Sequence, residues 1–251
     1  LSSGSSASST SVSPDSGRTP LHMLVYRILG EAIEETDADG AATGAWRLLR
    51  VVLEKAPPFN ALDRAGLSPV HVVLSERNAP LARAVVDAAL GAPTFNVNLQ
   101  TRVDRSTVLM YAARHGHFEL LCAMLDKCAA AADLALCDDS GRTLLHWLLD
   151  TGDDAQAADG DRQRAVASVL ASSDPGLRMQ DKRGDTPLHI LLRHTGAPEA
   201  THALFAVCLD AALGSRRVPF DPNLANEDGV TVLHLAAAMP TRVSIFTRLI
   251  D

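Results

Sequence analysis

The chain has 251 residues, 47% of them apolar and 21% charged, which is enough for a real hydrophobic core and excludes wholesale disorder. A net charge of -7 removes the basic footprint of a general nucleic-acid binder, and no apolar run approaches the ~18 residues that cross a bilayer. Four cysteines (Cys122, Cys128, Cys137, Cys208) without CxxC spacing read as buried small hydrophobes of a reducing intracellular compartment, cytoplasmic or nuclear, and the 4% aromatic content fits small aliphatic side chains between close helices.

Residues 1–13 hold eight serines and almost nothing apolar, the composition of a flexible segment. The remainder, 14–251, repeats itself. GRTPLHML (17–24), GLSPVHVV (66–73), RSTVLMYA (105–112), GRTLLHWL (141–148), GDTPLHIL (184–191) and GVTVLHLA (229–236) align without gaps, with Thr or Ser at 19, 68, 107, 143, 186 and 231. Repeats are placed near 14–60, 61–99, 100–136, 137–179, 180–224 and 225–251.

Each copy has a local physical reading. Asp63, Asp138, Asp181 and Asn226 favour turns, and the Gly two residues before the Thr takes positive φ cheaply, so a hairpin tip is expected. The Thr suits a helix N-cap, and Pro20, Pro69 and Pro187 suit the first helical position, where a missing donor costs nothing. His22, His71, His146, His189 and His234 fall at N3, within reach of the cap. A second apolar-periodic run follows in most copies: 46–55, 81–90, 118–127, 164–173 and 201–210.

The pattern D-x-x-G-x-T-P-L-H followed by A-A-x-x-G-H-x-x-L-L resembles the ankyrin repeat, best in 180–192 for the first half and 111–127 for the second. The resemblance implies an all-α solenoid of about six helix-turn-helix repeats joined by β-hairpin turns. Spacings of 49, 39, 36, 43 and 45 between the cap residues exceed the family's ~33, so every copy carries extra chain. Bulky pairs such as Leu148-Leu149 and Leu191-Leu192 replace the family's Ala-Ala, which is expected to spread neighbouring inner helices. Arg105 replaces the turn Gly and Met110 the His, so the third hairpin is expected to be distorted. The final run, 241–251, has no polar cap, and the first residue is not Met; the chain therefore reads as part of a longer protein.

Chemistry is sparse. The five register histidines are explained by helix starts, and His115, His117 and Cys122 lack a second ligand pair for zinc. Nucleotide, zinc-protease and nucleophile-elbow motifs are missing, so no enzyme activity, cofactor or metal is expected. The acidic inserts 30–44 and 150–162 read as solvated loops. Asp15-Ser16-Gly17 reads as a turn.

What the resemblance implies is a recognition surface on hairpins and inner helices. The positions expected to be exposed there include Arg64, Arg102, Arg105, Arg114, His115, Asp139, Arg142, Lys182, Arg183, Asp185, Arg193, Glu227 and Asp228. Arginines clustered in repeats three and five point to an acidic or phosphorylated stretch of a partner protein, with no direct nucleic-acid, membrane or small-molecule ligand. The expected function is a non-catalytic protein-interaction module. Two narrower versions stay open: the ankyrin domain of a transcription regulator, similar to Swi6 and Mbp1 type factors or inhibitors of NF-κB, and a substrate-recruiting segment of a larger enzyme.

Overall fold

The computed structural model describes residues 16–31, 35, 43–150, 160–171, 176–193, 208, 221 and 223–238. The Ser-rich segment, most of both acidic inserts and the terminal run 241–251 lie outside them. The chain forms two compact units, Leu1–Val103 and Asp104–Asp251. Unit 1 contains α1 (Pro20–Gly30), α2 (Gly44–Glu54), α3 (Pro69–Leu74) and α4 (Ala79–Gly91). Unit 2 contains α5 (Val108–Arg114), α6 (Phe118–Cys128), α7 (Leu144–Leu149), α8 (Gly160–Leu170), α9 (Pro187–Arg193) and α10 (Val232–Ala237).

All six cap residues start a helix, and the reason is local. Thr19, Ser68, Thr107 and Thr231 accept the N3 backbone N–H, and the Oγ of Thr186 accepts from His189 N at 3.4 Å. At Thr19, Thr143, Thr186 and Thr231 the N3 histidine completes the exchange, its Nδ1 accepting from the cap N–H at 3.0–3.2 Å. The expected reach-back is therefore present. In three of these copies the other ring nitrogen does something the sequence did not suggest: His22 Nε2 donates to the Leu67 carbonyl at 3.0 Å, His146 to Asp185 at 3.2 Å and His189 to Val230 at 3.1 Å. One side chain thus caps its own helix and ties it to the next hairpin.

The hairpins are closed by the expected turn formers. Asp138 Oδ1 accepts from Ser140 N and Arg142 N, Asp181 Oδ1 from Arg183 N and Asp185 N, and Asn226 Oδ1 from Asp228 N and Val230 N. Successive hairpins within a unit are stitched by single backbone bonds: Arg64 N to Ser16 O and Arg102 N to Gly66 O in unit 1, and Asp139 N to Asp104 O, Lys182 N to Ser140 O and Glu227 N to Arg183 O in unit 2.

The third copy corrects the expectation in part. Arg105 occupies the left-handed region at φ 56°, as the glycines of the other copies do, so the turn conformation survives without Gly. The change is one of register, because Arg102 donates from five residues before its cap, whereas Arg64, Asp139, Lys182 and Glu227 donate from four. A side chain at positive φ is strained, and Arg105→Gly is expected to raise stability by about 1 kcal/mol. An unchanged or lowered urea midpoint would refute this.

Behind the hairpins, the described helices pack on near neighbours: α1 on α2 and α3, α3 on α4 and α2 on α4; then α5 on α6 and α7, α6 on α8, α7 on α8 and α9, and α9 on α10. Leu21, Val25, Ile28, Leu49, Val73 and Leu81 are buried in unit 1, and Leu121, Met124, Leu145, Leu148, Leu188 and Leu192 in unit 2. Fully burying each such side chain is worth roughly 1.5–3 kcal/mol. The cysteines are free thiols; Cys122 and Cys208 are buried as expected, whereas Cys128 and Cys137 are half-buried. Burial pushes the Cys208 thiol up to about 12. Among the described residues no helix is long and apolar enough to cross a membrane.

Candidate functional site: hairpin tips and inner-helix ends

Eleven of the thirteen expected surface residues are exposed: Arg64 and Arg102 in unit 1, and Arg105, Arg114, His115, Asp139, Lys182, Arg183, Arg193, Glu227 and Asp228 in unit 2. Two are not. Asp185 is fully buried, because its carboxylate accepts from Asn226 Nδ2 at 2.8 Å and pairs with Arg193. It latches one repeat to the next and is not free for a partner. Arg142 is half-buried, with Nη1 3.0 Å from Asp150 and Nε 3.5 Å from Asp181.

These pairings divide the cations into two groups. Arg114, Arg142 and Arg193 are each held by a carboxylate: Asp104 at 3.3 Å, Asp150 and Asp181, and Asp185 respectively. Arg64, Arg102, Lys182 and Arg183 sit at hairpin tips and form no ion pair among the described residues. Three tips thus carry uncompensated cations, the tips at Asp139 and at Glu227 and Asp228 carry exposed acids, and Arg114, Arg142 and Arg193 are charge-compensated.

Sequence reasoning missed Trp147. Its ring lies 5.1 Å from the Arg114 guanidinium and 4.9 Å from that of Arg142, and its Nε1 donates to Asp138 Oδ2 at 3.0 Å. Cation-π contact and fixed hydrogen bonds immobilise both arginines before any partner arrives. Unit 1 repeats the device with Arg18 over Tyr26 at 4.0 Å and the Tyr26 hydroxyl donating to Asp63 at 3.1 Å. A signal was available for two of the three: Arg142 and Arg18 each directly precede a cap Thr whose helix carries a part-buried aromatic, four residues after the Thr at Trp147 and seven after it at Tyr26.

The C-terminal end of α7 is held unusually. Buried Arg162 donates from Nε to the Leu148 carbonyl at 2.7 Å and from Nη2 to the Asp150 carbonyl at 2.8 Å, so a side chain of α8 satisfies the last carbonyls of α7. Partial desolvation beside its neighbours, and then the positive charge of Arg114, hold the surface residue His115 below the ordinary histidine value. Burial raises Tyr111, and the Asp104 charge adds to this. No three His, Cys, Asp or Glu side chains converge as metal ligands among the described residues.

This helical stack of capped repeats, with Asx-closed tips and histidine ties, is the fold of the ankyrin-repeat proteins. Residues 104–134 match the family model for the ankyrin repeat. Among solved structures the chain is similar to an ankyrin repeat domain from Acinetobacter baumannii, with a TM-score of 0.63 and 19% identity over 92% of this chain and 96% of that one. It is also similar to the ankyrin repeat domain of Bcl-3, a member of the IkappaB family, with a TM-score of 0.56 and 19% identity over 94% of this chain and 100% of that one. A third similar chain belongs to the complex of the Bdellovibrio bacteriovorus predatory endopeptidase Bd0816 with the immunity protein Bd3460, with a TM-score of 0.54 and 19% identity over 89% of this chain and 96% of that one. The likeness is one of fold: the repeats are built and stacked within each unit as in ankyrin-repeat solenoids.

Proposed function

We propose that this chain is a non-catalytic protein-interaction module whose hairpin tips recognise an acidic or phosphorylated stretch of a partner protein. The observation that carries the reading is the state of four cations. Arg64, Arg102, Lys182 and Arg183 are exposed and without an ion pair among the described residues, whereas the neighbouring inner-helix arginines are already neutralised. A charge not engaged internally costs little to redirect to a partner, and Arg in particular matches carboxylate and phosphate geometry. The ankyrin fold supports the reading, since a rigid scaffold limits the entropy lost on binding. Regulator and enzyme-recruiting versions share this surface and differ in flanking domains.

The test is affinity capture with mass spectrometry, comparing the native chain with the pairs Arg64→Glu/Arg102→Glu and Lys182→Glu/Arg183→Glu. All four positions are exposed, so folding is expected to persist, checked by circular dichroism. Acidic partners should be lost from one or both charge-reversed forms, and phosphatase treatment of the lysate should mimic the loss if phosphate is read. Recovery of the same partners in the same yield by all three forms would overturn the proposal.

A further inference from the structure

Seven residues past the cap, unit 2 carries a row of alternating sign. Arg114, Asp150 and Arg193 follow Thr107, Thr143 and Thr186 at this interval, each at the C-terminal end of its inner helix. Helices α5, α7 and α9 pack in that order, so the three charges run across successive repeats as plus, minus, plus. Each is pinned from the protein side, by Asp104, Arg142 and Asp185 respectively, yet their side chains remain 46%, 24% and 40% exposed. A guanidinium carries five donors, so one internal pair leaves others facing solvent.

Asp150 stands against local preference. The end of a helix presents unpaired carbonyls and favours a cation, as at Arg114 and Arg193, while an anion there is unfavourable. The structure supports this anion with Arg142 on its carboxylate and Arg162 on its carbonyl. The sign change in the middle of the row is thus held in place by two arginines.

We propose that this row is a docking register for an extended segment of a partner protein bearing acidic, basic and acidic side chains at positions i, i+3 and i+6. Packed helices lie roughly 8–10 Å apart. A polyproline-II segment has three residues per turn at ~3.1 Å rise, so its side chains return to one face every ~9 Å, in step with the repeats. Glutamate or aspartate meets Arg114 and Arg193, and lysine or arginine meets Asp150. The immobilised side chains lose little freedom on binding. This rests on the interaction reading above but uses other residues, so the two fail separately.

The test uses the full chain and synthetic proline-spaced peptides of the form Glu-x-x-Lys-x-x-Glu, titrated by fluorescence anisotropy at low and physiological salt. Controls carry the sign-inverted pattern Lys-x-x-Glu-x-x-Lys, or spacings of two and four residues. The matched peptide should bind about tenfold tighter than the inverted one and than either altered spacing, and weaken with salt. Arg114→Gln, at an exposed position, should weaken the matched peptide several-fold, and Lys182→Glu/Arg183→Glu should leave it unchanged. Equal affinity across signs and spacings, loss of binding in the tip variant, or no saturable binding of the matched peptide would each overturn the proposal; the peptide series needs no variant to fold.

Discussion

Gly184→Ala is expected to cost about 3 kcal/mol, whereas Gly116→Ala costs only about 1 kcal/mol. Both glycines are left-handed, at φ +73° and +77°, so the conformational part, roughly 1–2 kcal/mol for an L-residue, is common to both. Their surroundings differ. A Cβ on Gly184 would lie 2.9 Å from Asn226 Cα and from Glu227 N, backbone atoms of the next hairpin, while at Gly116 nothing lies within 4 Å. The clash cannot be relieved by a rotamer change, so the hairpins must part, at the expense of the Glu227 N to Arg183 O bond at 2.9 Å. Urea unfolding of the two variants beside the native chain measures the difference. Equal losses would show that the hairpins have no close approach at this point and that only φ matters.

Stability should fall as pH drops from about 6.5 to 4, with His146 the largest single histidine contribution. Its imidazole is pushed down to about 4 from 6.5, mainly by burial; the Asp185 carbonyl and the Asp181 and Asp138 charges oppose this, and Arg142 adds to it. The geometry agrees with a neutral ring, because Nδ1 accepts from Thr143 N at 3.0 Å while Nε2 donates to the Asp185 carbonyl at 3.2 Å. A proton on Nδ1 would remove the acceptor. The folded value lies below the unfolded one, so the unfolded chain takes up the proton first. The contribution is complete above about pH 6.5, declines toward 4 and is constant below that. Two and a half pH units correspond to about 3 kcal/mol. His22 and His189 are lowered by burial as well and act in the same direction.

His146→Gln separates this effect from general acid unfolding. A glutamine at N3 offers an amide oxygen to Thr143 N and an amide N–H to the Asp185 carbonyl without titrating. The variant should lose stability less steeply between pH 7.5 and 5 than the native chain, read from urea midpoints at each pH. Parallel curves for the two proteins would mean that His146 does not carry the dependence.

Most of the fold was readable because the residues that make it act over short distances. Gly184, Thr186, Pro187 and His189 lie within six positions of one another, and each has one physical duty that its type announces. The same holds for the tips, where Asp138, Asp181 and Asn226 bond to backbone two and four residues on. The surface was less legible. Asp185 looked like an exposed tip residue, but its partners are Arg193, eight residues on, and Asn226, 41 residues on, and together they bury it. Arg142 looked free until Trp147, Asp150 and Asp181 enclosed it.

Where each hairpin turns and each inner helix begins follows from local residue types, because glycine, Asx, threonine, proline and histidine bias the backbone through contacts of a few residues. Which charges remain available is settled by folding in three dimensions. Folding brings Arg114, Arg142 and Arg193 against carboxylates eight to ten residues away in their own copies, Asp104, Asp150 and Asp185, and stacking adds Asp181 of the next copy to Arg142; each pairing depends on how hairpin and helix are placed in space. The pairing neutralises these three arginines and leaves Arg64, Arg102, Lys182 and Arg183 at the tips.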